Sequence, residues 1–465
     1  MQKIGGTVLK KKIGYGLMSA ALMLGAIGCS GNGEGGGDWE PLDKNTETKL
    51  KVMYWSMEQF QREYGMLFQN EFPNVEIEVV SRQGIFNDTS KSREQIFNEL
   101  VDKEQPDVLF LFENEYESMA RNGKLLDLDV PIQMSSYDME GYNPAILSLL
   151  RNEGDGKLYG LSPFFTSEAL FYNIDLFNKY NVELPRDSMT WDEVFELAKR
   201  FPTDGDEKNR IYGFTIDGFM SPLFSTLKIG AAQNLRVFNA EATEAQLNSD
   251  AWRKVFETIV GAIKSGAFYL PTEEEQNKQM RMLEDDRFVM GRSAMTFQSP
   301  SQVGAILNAK NSLKDVTPVN WGLVTAPVDP NNRTQSGSYN YSAVFAINSQ
   351  SGNAQAAWEF IKYANSADYA QIRANSSNGE LFSRTEFNRP QDERDMAAFF
   401  KLEPKAELRS EFKNLPDGLD WMVMEIMARE LTAAANDKKT LDEAIQTIQE
   451  EAQATLVNMK ANQEK

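Results

Sequence analysis

Carboxylates and aromatic rings carry whatever chemistry this chain can do, because histidine is absent from all 465 residues and cysteine occurs once. Without an imidazole, Ser-His-Asp and Cys-His catalysis are excluded, and so are histidine-ligated zinc sites. Two carboxylates facing each other across a cleft could still hydrolyse a glycoside. The best-placed residues form three short runs: Trp55-Ser56-Met57-Glu58, Ser81-Arg82-Gln83 and Glu113-Asn114-Glu115. Asp204-Gly205-Asp206 has the opening of a calcium loop. Lys208 then holds the next ligand position, and no closing carboxylate follows at the required spacing. That stretch reads as an acidic turn, and no metal or cofactor is expected.

The elements around these runs explain their placement. Residues 50–55 (LKVMYW) and 75–80 (VEIEVV) read as strands, and Phe60, Tyr64, Leu67 and Phe68 share one helical face between them. Pro73 ends that helix, residues 94–101 form another, and 108–112 (VLFLF) is a continuous apolar strand of the kind covered on both faces. Alternating strands and helices imply parallel pairing through crossovers, and ligands bind beyond the carboxyl ends of such strands. The three runs lie at those ends.

A second α/β body starts near residue 161. Residues 161–165 lead into a strand at 169–172, a helix at 175–180, a turn at Pro185, and a helix opened by the capping box Thr190-Trp191-Asp192-Glu193. Helices are expected at 251–265, 275–290 and 354–363, and strands at 295–297 and 321–326. The region 419–461 reads as helical with a break at Asn436-Asp437. Trp191, Trp252, Trp321 and Trp358 read as packing residues.

The amino terminus has a different composition. Lys3 and Lys10, Lys11 and Lys12 precede an apolar run at 13–28 of about 16 residues, short of the roughly 20 needed to span a membrane and ordered like a secretory signal. Cys29 follows Ala26-Ile27-Gly28, which resembles the lipobox of bacterial lipoproteins, with Ala26 where leucine is usual. By that resemblance Cys29 is acylated. Residues 30–47, rich in Gly, Asp and Glu, would form a flexible tether. The protein is then exported and lipid-anchored on the outer face of the cell membrane. A formal charge of −20 excludes broad nucleic-acid binding, and a single thiol allows no intramolecular disulfide.

Four stretches together resemble the extracellular solute-binding proteins of carbohydrate ABC importers, the group that includes the maltose-binding protein. They are residues 169–201 (ALFYNIDLFNKYNVELPRDSMTWDEVFELAKRF), 290–296 (MGRSAMT), 321–327 with 336–348, and 353–360 followed by 440–452. The resemblance implies a type II periplasmic-binding-protein-like α/β fold with mixed sheets flanked by helices and a hinge between two lobes. Residues 1–28 would be the signal peptide and 29–48 the tether. Residues 49–163 with 344–393 would form the first lobe, and 164–343 with 394–465 the second. The crossings would fall near 162–165 and 341–345.

It also implies a monomeric receptor that captures a carbohydrate, expected to be an oligosaccharide, and delivers it to membrane permease subunits without catalysis. A pyranose needs aromatic platforms for its C–H faces and carboxylates or amides for its hydroxyl rim. The residues that match are Trp55, Glu58, Glu113, Asn114, Glu115, Phe165, Glu168, Asp217, Phe219, Gln298, Ser338, Tyr339, Asn340 and Trp421. Where the family often carries a tryptophan after the strand at 294–296, this chain has Gln298-Ser299-Pro300-Ser301, which argues against maltose as the ligand. Arg82 and Arg384 are the candidates for meeting an anionic sugar. A same-fold receptor for a peptide, polyamine or other solute, and a carboxylate-pair glycoside hydrolase, are the alternatives.

Overall fold

The first strand, β1 (Thr48–Tyr54), buries Leu50, Val52, Met53 and Tyr54, and β2 (Val75–Ser81) alternates Val75 and Ile77 inward with Glu76 and Glu78 outward. The structure is a computed structural model that describes residues 39, 42–86, 91–206, 209–216, 222–272, 275, 283–313, 317, 319–374, 380–405, 415–416 and 418–463. Cys29, the leader, Asp217 and Phe219 lie outside the described residues.

Along the chain β3 (Val108–Leu111), β4 (Gly160–Leu161), β5 (Phe164–Thr166), β6 (Ala169–Asn173), β7 (Tyr212–Thr215), β8 (Ser293–Gln298) and β9 (Trp321–Val324) follow. Then come β10 (Gln335–Ser336), β11 (Asn340–Tyr341), β12 (Val344–Ile347), β13 (Leu381–Phe382) and β14 (Glu403–Pro404). Two mixed sheets result, ordered β2-β1-β3-β12-β4 and β7-β8-β6-β9. In the first, β1 runs parallel to β2 and β3, as the strand-helix alternation requires, while β12 runs antiparallel to β3 and β4. In the second, β6 is antiparallel to β8 and β9, and β7 is parallel to β8.

A three-stranded sheet, β11-β5-β13, forms the waist. Ser162, buried at its edge, places Oγ 2.6 Å from the Ala343 carbonyl, and its N–H donates to the Tyr142 hydroxyl at 2.9 Å. Near residues 392–394, where the expected lobe bounds imply a further passage, the chain is tied to the second sheet. Arg394 Nε donates to the Trp321 carbonyl at 2.5 Å, Trp321 Nε1 donates to Asp392 at 3.2 Å, and β14 then pairs with β10.

Aromatic packing fills the first core. Phe60, Tyr64 and Phe68 face Phe360 with ring centroids 5.4–6.0 Å apart. They share that face through a single wide turn, in which the Met66 N–H bonds to the Gln61 carbonyl five residues back. This core continues through the waist: Phe171 on β6 meets Trp321 at 5.6 Å and Phe399 at 5.9 Å. A separate second core gathers Trp191, Trp252 and Phe256 with the helices Leu419–Ala435 and Leu441–Gln463, which part at Asn436 and Asp437 as expected.

Three local expectations need correction. Residues 283–290 are turns, not the end of a helix, because Asp286 accepts from the Val289 N–H at 2.8 Å and from Gln302 at 2.9 Å, tying the segment to the helix Ser301–Ser312. The end of the supposed tether is docked: Trp39 packs on the first core, and the Leu42 N–H donates to Glu359 at 3.4 Å. Glu113, Asn114 and Glu115, which the family resemblance matches to a loop, open the helix Glu113–Arg121.

Candidate functional site

Register fixes which end of each sheet carries the site. Leu111, at the carboxyl end of β3, pairs with Val344, where the chain has just left the waist. Tyr54 pairs with Ser81, so Trp55, Arg82 and Phe112 follow at one level beside the waist. In the second sheet Ala169, at the waist end of β6, pairs with Gln298 at the carboxyl end of β8, and Leu170 pairs with Val324 at the end of β9. Thr215, ending β7, pairs with Thr296. Both sheets therefore turn the carboxyl ends of their parallel strands toward the same waist, where α/β sheets bind ligands.

On the first lobe these ends form an aromatic and cationic layer. Arg82 is 0% exposed. Its guanidinium carbon lies 4.3 Å from the Phe112 ring centre and 5.4 Å from that of Trp55. One amino group donates to the Phe110 carbonyl at 2.5 Å and the other to Glu115 Oε1 at 2.7 Å, while Nε is buried without a hydrogen-bond partner. Glu115 Oε2 accepts from the Phe112 N–H at 2.9 Å, a capping contact at the start of the helix. Trp55 keeps part of its surface open, Glu113 is half-buried, and Glu58 and Asn114 are exposed in the first turns of their helices.

Beside this layer the Tyr54 hydroxyl donates to the Glu63 carboxylate. Burial, with Glu63 behind it, raises the tyrosine well above its ordinary range. Burial also raises the carboxyl of Glu380, next to the waist strand β13, against the opposing pull of Arg373.

On the second lobe, Glu168 sits directly before β6 and accepts from Lys228 Nζ at 2.6 Å. Ser338 Oγ lies 3.2 Å from Ser167 Oγ and 2.8 Å from Ser336 Oγ, and it donates to the Glu168 carbonyl at 3.4 Å. Gln298 is half-buried at the end of β8, and Asn340 is exposed opposite Thr166 on the waist. Trp421, 43% exposed, donates through Nε1 to Glu425 at 2.9 Å and meets the Phe224 ring edge-on at 5.1 Å.

Several expected contacts are structural. Phe165 and Tyr339 are buried and stacked on each other at 6.2 Å, and the Tyr339 hydroxyl donates to the Leu402 carbonyl, so they bind the waist strands together. Glu115 is taken up by Arg82 and its own helix cap. Neither arginine proposed for an anionic sugar is available, since Arg384 also spends its guanidinium on the carbonyls of Asn365, Glu140 and Asp138 at 2.6–2.8 Å. Sequence reasoning missed Phe224 and Lys228. Their spacing of four, one helical turn, was the available signal.

Two sheets joined by a short stranded waist, with strand-end residues of both facing it, define a two-lobed binding protein. The chain matches the profile of the bacterial extracellular solute-binding protein family over residues 64–400 and belongs to that family. Family members are receptors, so the chain is not an enzyme. It is 24% identical over 229 residues to the sn-glycerol-3-phosphate-binding periplasmic protein UgpB of Rhizobium meliloti, covering 48% of this chain and 50% of that protein. The chain thus matches about half the length of such relatives.

Among solved structures it superposes on a sugar transporter protein of Rhizobium etli in an open conformation, with a TM-score of 0.62 at 20% identity. That match covers 87% of this chain and 99% of the other. It also superposes on the sugar-binding protein MalE of Xanthomonas citri, with a TM-score of 0.63 at 16% identity, covering 90% and 99%. At such identities the likeness speaks for the fold: two lobes, mixed sheets and flanking helices.

Proposed function

We propose that the protein is an extracellular receptor that captures an uncharged carbohydrate, an oligosaccharide, between its lobes and delivers it to the permease subunits of an ABC importer. The first lobe comprises residues 49–163 and 344–393 and the second 164–343 and 394–465. The receptor acts as a monomer, held at the outer face of the membrane by lipid on Cys29 after removal of residues 1–28.

One observation carries the reading. Each lobe brings a partly open tryptophan, Trp55 or Trp421, together with carboxylates to strand and helix ends, and such rings suit the apolar faces of sugars while the carboxylates suit their hydroxyls. Glu58, Glu113, Asn114, Glu168, Gln298, Ser338 and Asn340, with Asp217 and Phe219, complete the expected lining. A relative named for binding sn-glycerol-3-phosphate raises the case for a phosphate ester. Arg82 speaks against it, because its charge is already neutralised by Glu115 and its amino groups are occupied.

The test is a thermal-shift screen against mono- and oligosaccharides and glycerol phosphate. A ligand that binds only the folded state at a hundred times its Kd stabilises by about 2.7 kcal/mol. The expected outcome is a raised melting temperature with at least one neutral oligosaccharide, lost in Trp55→Ala and Trp421→Ala. A shift with glycerol phosphate alone, or with none of the panel, refutes the carbohydrate assignment.

A further inference from the structure

The second lobe holds a line of side chains that runs outward from the waist. Glu168 lies at the start of β6, with its carbonyl held by Ser338, and Lys228 reaches it from the helix Ser225–Ala232 with Nζ 2.6 Å from Oε1. Phe224 directly precedes that helix in helical conformation, four residues before Lys228, so the two share a face. Phe224 in turn stands edge-on to Trp421 at 5.1 Å. The side chain of Lys228 is 59% exposed and that of Glu168 22%, so the pair stays in reach of water. An exposed ion pair of this kind adds little to stability, and stability therefore does not account for it.

We propose that Lys228 and Glu168 form a donor–acceptor pair that reads two adjacent hydroxyls of an uncharged sugar whose apolar face rests on Trp421. The proposal rests on the carbohydrate reading above. An ammonium has three N–H donors and no acceptor, whereas a carboxylate has about four acceptor sites and no donor. With one N–H already spent on Oε1, the ammonium donates to one hydroxyl oxygen while the carboxylate accepts the O–H of the next. Both are charge-assisted bonds, roughly twice as strong as neutral ones. Because the two charges cancel at 2.6 Å, the pair offers no net attraction to an anion and selects a neutral diol over a uronate.

The experiment compares wild type, Lys228→Met, Glu168→Gln and Trp421→Ala by calorimetric titration, using the neutral oligosaccharide that stabilises the wild type and the uronic-acid oligosaccharide of matching length. The melting temperature of each unliganded variant serves as the folding control. Lys228→Met is expected to weaken neutral binding tenfold or more without moving that melting temperature. Glu168→Gln keeps the shape but leaves Lys228 uncompensated, so it weakens neutral binding and tightens uronate binding at least fivefold. If Trp421→Ala abolishes binding while Lys228→Met stays within twofold, or if Glu168→Gln leaves uronate binding unchanged, the diol pair is wrong and the carbohydrate reading stands. A wild type that binds the uronate in preference to the neutral sugar also overturns it. A wild type that binds neither brings down both.

Discussion

Arg82 shows how a residue at a predicted binding edge can serve the edge without touching the ligand. It is fully enclosed, its charge is met by Glu115, and its flat face lies against Phe112 and Trp55. Replacing it with methionine keeps much of the bulk but strands the Glu115 carboxylate, 18% exposed, beside an apolar layer. Breaking one side of a buried pair costs about 3–5 kcal/mol, so Arg82→Met should lower the urea midpoint strongly and shift the fluorescence of Trp55. A midpoint within error of wild type would show the pair to be dispensable. The sequence placed Arg82 correctly at a strand end. What it could not show was that Glu115, 33 positions later, folds back to occupy it, and so it read as open to an anion.

At the scale of elements, the helix Trp191–Ala198 shows a local signal that carried through. Thr190 Oγ1 accepts from the Glu193 N–H at 3.2 Å, and Glu193 returns a bond from the Thr190 N–H at 2.8 Å. Arg333, 140 residues away, adds a fork of two bonds at 3.0 and 3.2 Å to the same carboxylate. That fork, helped by the Thr190 N–H and by Arg186, outweighs desolvation and holds Glu193 down to about 2. A depressed carboxylate stabilises the fold fully above its unfolded value of 4.5 and loses that contribution as pH falls toward about 2. Thr190→Ala should cost about 1 kcal/mol. Arg333→Met should flatten the acid limb of the stability profile between those pH values, and an unchanged limb would deny Arg333 its role.

Caps and strand alternation such as VEIEVV were legible because they depend on neighbours in sequence. The wide turn at Gln61, the two-residue strands β10, β13 and β14, and the turns at 283–290 were not. The short strands are imposed by pairing with segments far along the chain, and the turns by the following helix, whose Gln302 captures Asp286.

The molecule as a whole is two sheets that share one waist, and its proposed work is closure. If an oligosaccharide bridges the lobes, saturating ligand should reduce the radius of gyration seen by solution X-ray scattering, and Trp421→Ala should abolish the change. An unchanged radius with ligand demonstrably bound would leave a receptor that does not close. Two lobes and a boundary at 393–394 could be read from the family resemblance, yet the clasp at that boundary could not, since Arg394 and Asp392 carry no local sign that they will hold Trp321.

The threefold passage through the waist also governs the order in which the protein can be completed. The first sheet lacks an interior strand until Val344–Ile347 exists, and the second core waits for Ile445, Ile448 and Leu456 near the very end. Neither half can therefore close while most of the polypeptide is still being made. Until the helix Leu441–Gln463 has been made, the second core has no partner for the helix Leu419–Ala435 on that side.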